Sequence, residues 1–127
     1  MNTTDNRFSA EELKKIDQAD DLKISPLRSD GVTFGTPTWI WAVVVDGDLY
    51  VRAYNGKNSS WYQSAVQRKA GRIHAAGMVE DVIFENVPSD LDNAIDEAYK
   101  AKYSSSPYLP PMISEGPKRA TIRIRRE

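Results

Sequence analysis

The chain has 127 residues, with 17 basic and 18 acidic side chains and a formal net charge of −1. This length suits one domain with a single core, and a charge near zero gives no global pull toward nucleic acid or an anionic membrane. With no cysteine and one histidine, His74, disulfides, thiolate metal sites and a cysteine nucleophile are excluded, and a histidine metal site or a serine–histidine triad is disfavoured.

Residues 1–7 read as a disordered lead. The opening MNTTDNRFSAEELKK is polar and acidic, and no later apolar run is long enough to span a bilayer. The expectation is a soluble, cytoplasmic protein with neither membrane nor nucleic acid as partner. Ser9 and Glu12 have the spacing of a capping box, with Phe8 and Leu13 at the positions of a hydrophobic staple. They predict a short surface helix over 10–19, with Leu13 and Ile16 on its apolar side.

Residues 22–35 alternate Leu22, Ile24 and Val32, Phe34 around Pro26 and Gly31, and predict two short strand segments. Residues 38–45 are rich in tryptophan, isoleucine and valine and predict one strand, with Trp39 and Trp41 on one face and Ile40 and Ala42 on the other. Asp46-Gly47 is a hairpin turn signal. The return strand over 49–54 places Leu49, Val51 and Ala53 on one face and Tyr50, Arg52 and Tyr54 on the other.

Asn55-Gly56 ends that strand. Ser59 or Ser60 can cap a helix over 61–68, with Gly71 as its stop. A second hairpin is expected around Ala76-Gly77, its returning strand stopped by Pro88. Ser89 or Asp90 can cap a third helix over 91–103, where Leu91, Ile95, Ala98 and Tyr99 recur at helical spacing. Residues 108–117, with Pro110, Pro111 and Gly116, read as irregular. Residues 120–126 alternate as a last strand, with Ile122 and Ile124 inward.

This order predicts an α+β fold with a mainly antiparallel, six-stranded sheet and about three short helices. Two-faced apolar patterning in the first hairpin favours a small barrel over an open sheet. Residues 1–21 form a polar lead with a short helix, and 22–127 form a single domain.

The candidate site is the stretch where a strand delivers Arg52 and a glycine-containing loop presents Lys57, Asn58, Ser59 and Ser60 at a helix start. Unpaired amides and the helix dipole attract anions there, and phosphate is the natural guest. Trp39, Trp41, Tyr50, Tyr54 and Trp61 lie close in sequence. They offer an aromatic wall suited to a planar ring with a phosphorylated tail. The same residues also read as an ordinary helix cap, a solvated turn and a barrel core without ligand. Neither a Gly-x-Gly-x-x-Gly nor a Walker loop is present.

The segment TWIWAVVVDGDLYVRAYNGKNSSWYQSAVQRKAGRI, with Lys102-Tyr103 and the closing ATIRI at 120–124, resembles the core signature of an uncharacterised bacterial family, domain of unknown function 2255. The resemblance runs from Leu22 onward and implies the flavin-binding split β-barrel fold of pyridoxamine-phosphate oxidases, general stress proteins and deazaflavin-dependent nitroreductases. It implies FMN or a deazaflavin as cofactor, gripped at Lys57, Ser59, Ser60, Trp61 and Arg52, in a homodimer with the cofactor between subunits. The Gly-Arg-Lys-Ser-Gly element that deazaflavin enzymes carry before the first long strand is absent; this chain has Ser29-Asp30-Gly31-Val32-Thr33-Phe34-Gly35-Thr36-Pro37 instead.

By analogy with deazaflavin reductases, Tyr62 is a candidate proton donor. His74 on a strand is a candidate acid, or a structural side chain. The basic C-terminus, including Lys118, Arg119, Arg123 and Arg125, lacks a nucleic-acid recognition motif. Arg123 and Arg125 have the reach to meet an anionic cofactor across a dimer interface. Two functions follow as expectations. One is an oxidoreductase moving a hydride between the cofactor and a small molecule. The other is a cofactor-free barrel acting as a ligand-binding or interaction module.

Overall fold

The computed structural model describes residues 8–19 and 22–126. The predicted disorder of 1–7 lies outside these residues. Helix α1 (Ala10–Gln18) begins at the expected capping box: the Glu12 amide donates to Ser9 Oγ at 3.1 Å, and the Ser9 amide to Glu12 Oε1 at 2.8 Å. Phe8, Leu13 and Ile16 are all buried, so the helix contributes to the main core.

Seven strands follow: β1 (Lys23–Pro26), β2 (Thr38–Trp39), β3 (Ala42–Val45), β4 (Asp48–Arg52), β5 (Ala70–Ala75), β6 (Met78–Asn86) and β7 (Thr121–Arg126). They form one antiparallel sheet in the order β2-β1-β5-β6-β7-β4-β3. Its two edge strands, β2 and β3, are joined by Ile40 and Trp41 alone. A flat sheet of seven strands would hold its edges about 29 Å apart, whereas three peptide units reach at most about 11 Å. The sheet therefore curls until its edges meet, which gives a split-barrel-like form. This is why the predicted strand over 38–45 is two: the chain changes sheet edge in its middle, and six expected strands become seven. Val32 forms no strand, and Phe34 makes only an isolated bridge with Leu27.

Both two-residue hairpins form as expected. Asp46 and Gly47 have φ of 50° and 81°, and Ala76 and Gly77 of 52° and 77°, the positive angles a type I′ turn needs. Ile24, Leu49, Val51, Ile73, Val82, Ile122 and Ile124 fill the barrel interior with α1 and helix α2 (Ser60–Arg68). The expected stop at Gly71 is not the one used: Lys69, at φ 60°, ends α2 in the left-handed region. Gly71 lies in β5, where an added Cβ would come within 2.7 Å of Pro26 Cα and Ser25 O.

A second apolar cluster lies outside the barrel. Val43 and Tyr50 pack under Ile95 and Tyr99 of helix α3 (Asp92–Lys102) and Met112 of helix α4 (Leu109–Met112). A short turn, Ser89–Leu91, precedes α3 without a side-chain cap, so neither Ser89 nor Asp90 caps it. Residues read as irregular form α4 and helix α5 (Glu115–Arg119). The prolines Pro110 and Pro111 fall in the first turn of α4, where a missing N–H costs nothing. Among the described residues, five helices thus replace the expected three or so. Among the described residues, no helix is long and apolar enough to cross a membrane.

Candidate functional site

A cavity of about 460 Å³ opens where the β2–β3 crossing, the end of β4 and the start of α2 meet. Trp39, Trp41 and Trp61 line it with Tyr54 and Tyr108, and its polar lining comes from Ser59, Ser60, Asn55, Thr38 and Arg52. Seven of the sequence-predicted residues therefore converge: Trp39, Trp41, Arg52, Tyr54, Ser59, Ser60 and Trp61. Lys57 and Asn58 are not part of the lining. Both sit exposed in the 3-10 turn Gly56–Asn58, where the Lys57 carbonyl accepts a hydrogen bond from Gln63 Nε2 at 3.1 Å. Tyr50 belongs to the outer cluster instead.

The α2 start meets the cavity with its hydrogen-bonding capacity in reserve. Ser59 is the N-cap residue, yet its side chain makes no capping bond. The amides of Ser60, Trp61 and Tyr62 belong to the first turn, which has no intrahelical acceptors. Ser59 and Ser60 therefore place two hydroxyls beside unpaired amides at the positive end of a nine-residue helix. Among the described residues, no carboxylate lines the cavity, and Arg52 is its one cationic lining residue. A helix start of this kind suits an anion.

Arg52 is fully buried, and its donors are engaged within the protein. Nε donates to Thr121 Oγ1 at 3.1 Å, Nη1 to Asp96 and to the Met112 carbonyl at 3.3 Å, and Nη2 to the Asp92 carbonyl at 3.3 Å. The guanidinium also lies 5.4 Å from the centroid of the Tyr99 ring. Asp96 in turn accepts Lys118 Nζ at 3.1 Å. Arg52 thus ties the cavity floor to α3, α4 and β7. Tyr99 donates to the Trp41 carbonyl at 2.9 Å, and burial pushes its phenol well above the usual range.

The aromatic wall is of two kinds. Trp41 stacks on Tyr103 with centroids 3.9 Å apart and planes 3° from parallel, and Trp61 is buried edge-on to Tyr62. Trp39, Tyr54 and Tyr108 are exposed. Tyr62, the candidate proton donor, is not in the cavity lining, and burial raises its pKa. Arg123 pairs with Glu85 at 2.8 Å, and Arg125 with Asp48 at 3.3 Å, so both engage partners in their own chain. Among the described residues, no group of three or more His, Asp or Glu side chains could hold a metal. Thr38, Ile40, Asn55, Tyr108 and Met112 are the lining residues that sequence reasoning missed. For Tyr108 the available signal was a lone tyrosine in a serine- and proline-rich loop.

No curated protein matches the chain. Among solved structures, it is similar to the conserved hypothetical protein Rv2991 from Mycobacterium tuberculosis, at 14% identity and a TM-score of 0.58. The match covers 98% of this chain and 83% of that one. At that identity the likeness is one of fold, and it supports the curled antiparallel barrel described above. The model of a bacterial family matches residues 12–124, a span that takes in most of α1, strands β1 to β6, most of β7 and every cavity-lining residue named above. The chain therefore belongs to the family of uncharacterized proteins conserved in bacteria, DUF2255.

Proposed function

We propose that the protein binds a phosphorylated planar cofactor of the flavin type, FMN or a deazaflavin coenzyme, in this cavity, and uses it in a redox reaction on a small molecule. The observation that carries the reading is the convergence, in one open cavity, of an uncapped helix start, two serine hydroxyls and an aromatic wall. The volume is in the range of small-molecule sites. A phosphate at the α2 start would accept from the first-turn amides and from Ser59 and Ser60, in bonds strengthened by its charge. When bound, the ring supplies hydride chemistry. The chain's own part is to anchor the phosphate, orient the ring and keep water from it.

Because Ser59 makes no capping bond, its hydroxyl can be removed with little cost to the helix. Replacing Ser59 and Ser60 together by alanine is expected to weaken FMN or deazaflavin affinity at least about tenfold. Lys57→Ala, outside the cavity wall, should leave it within about twofold. Unchanged affinity in the serine double variant would remove the phosphate cradle. The reading also expects a homodimer at micromolar concentration, checked by light scattering.

A second reading, a cofactor-free ligand-binding module, draws support from Arg52 and Trp41, both of which are engaged within the protein. It expects no saturable binding of either cofactor.

A further inference from the structure

Trp39, Tyr54 and Tyr108 are, with Val32 and Val79, the exposed large hydrophobic residues among those described. The three aromatics come from separate elements: the edge strand β2, the segment after β4 and the loop before α4. Yet all three line the same cavity. Tyr54 and Tyr108 meet edge to face, with centroids 6.2 Å apart and planes at 76°. Scattered single aromatics on a surface need no explanation, but exposed aromatics gathered from three elements around one cavity mark a ligand surface. Trp41 stacks on Tyr103, and Trp61 is buried in the core.

We infer that Trp39 and the Tyr54–Tyr108 pair form a clamp for the planar end of the ligand at the cavity mouth, with the anionic end directed to Ser59 and Ser60. This rests on the flavin-type reading and deepens it by assigning each end of the ligand to its own residues. Stacking depends on the ring and not on the phosphate. The two ends should therefore be separable by ligand and by variant.

The test compares FMN with riboflavin, and the deazaflavin coenzyme with its phosphate-free form, by fluorescence titration. Trp39→Ala and Tyr108→Ala are expected to lose about fivefold to tenfold in affinity for phosphorylated and phosphate-free ligands alike. Tyr108→Phe, which keeps the ring, should bind as the parent does. The Ser59/Ser60 double variant should lose affinity for the phosphorylated ligand only. All three aromatics are exposed, so the variants should fold, as circular dichroism can verify. Flavin binding unchanged in Trp39→Ala and Tyr108→Ala overturns the clamp and leaves the flavin reading standing. So does a change of oligomeric state in those variants with affinity intact, because the aromatics would then serve contact between copies. No saturable binding of any of the four ligands overturns both.

Discussion

Arg52 on β4 and Asp96 on α3 form a buried ion pair, the arginine fully covered and the carboxylate shared with Lys118. It joins the barrel wall to the helical layer that forms one side of the cavity. Taking a guanidinium out of water is costly, and its partners offset that cost only while all are present. Arg52→Ala and Asp96→Ala should therefore each lower unfolding stability by about 3–5 kcal/mol, because each leaves the other charge buried. The double variant should cost less than the sum of the two. Urea unfolding of the four proteins measures the coupling, and simple additivity would show that the pair does not act as a unit.

Gly71 makes a different prediction. Strand β1 passes so close to β5 that a Cβ at position 71 would lie 2.7 Å from backbone atoms of Pro26 and Ser25 and 2.8 Å from Phe84 Cε2. Phe84 has little room to move in the core, and the strand backbones have less. Gly71→Ala should cost about 1–3 kcal/mol, read as a lower thermal midpoint. A variant as stable as the parent would mean the two strands part easily.

Asp30 gives a pH-dependent prediction. Its carboxylate accepts from the amides of Val32 and Thr33 at 2.9 and 3.0 Å and from the Thr33 hydroxyl at 2.7 Å. These bonds hold its pKa down at about 2, against an ordinary 3.8. A carboxyl group depressed on folding stabilises the loop above its ordinary pKa and loses that effect as pH falls through its folded one. The loop over 28–35 should thus stay ordered through pH 4 and loosen near pH 2. Titration of the Asp30 carboxyl by NMR should give a midpoint near 2; a midpoint at 3.8 would show that the turn does not hold in solution.

Features written in local chemistry were legible in the sequence. Ser9 and Glu12 make their capping box, and the Asp46-Gly47 and Ala76-Gly77 turns set their hairpins, because each depends on residues within a few positions. The burial of Arg52 was not legible. Alternation along β4 places it away from the barrel interior, but nothing local says that α3, some forty positions on, covers that face. Gly71 reads locally as a helix stop, because its partner Pro26 is equally distant in sequence. Lys57 carries the charge expected beside a phosphate, but the 3-10 turn sets it outside the cavity wall. Tyr108 joins the site through α4, a short helix hidden in a proline-rich stretch.

The flavin-type cofactor proposed for the cavity at the α2 start can be tested directly. The most direct measurement is an absorption spectrum of the freshly purified protein, followed by calorimetric titration with FMN and with a deazaflavin coenzyme. The account predicts a bound chromophore, or saturable binding of one of the two at one site per chain. A colourless protein that binds neither would contradict it.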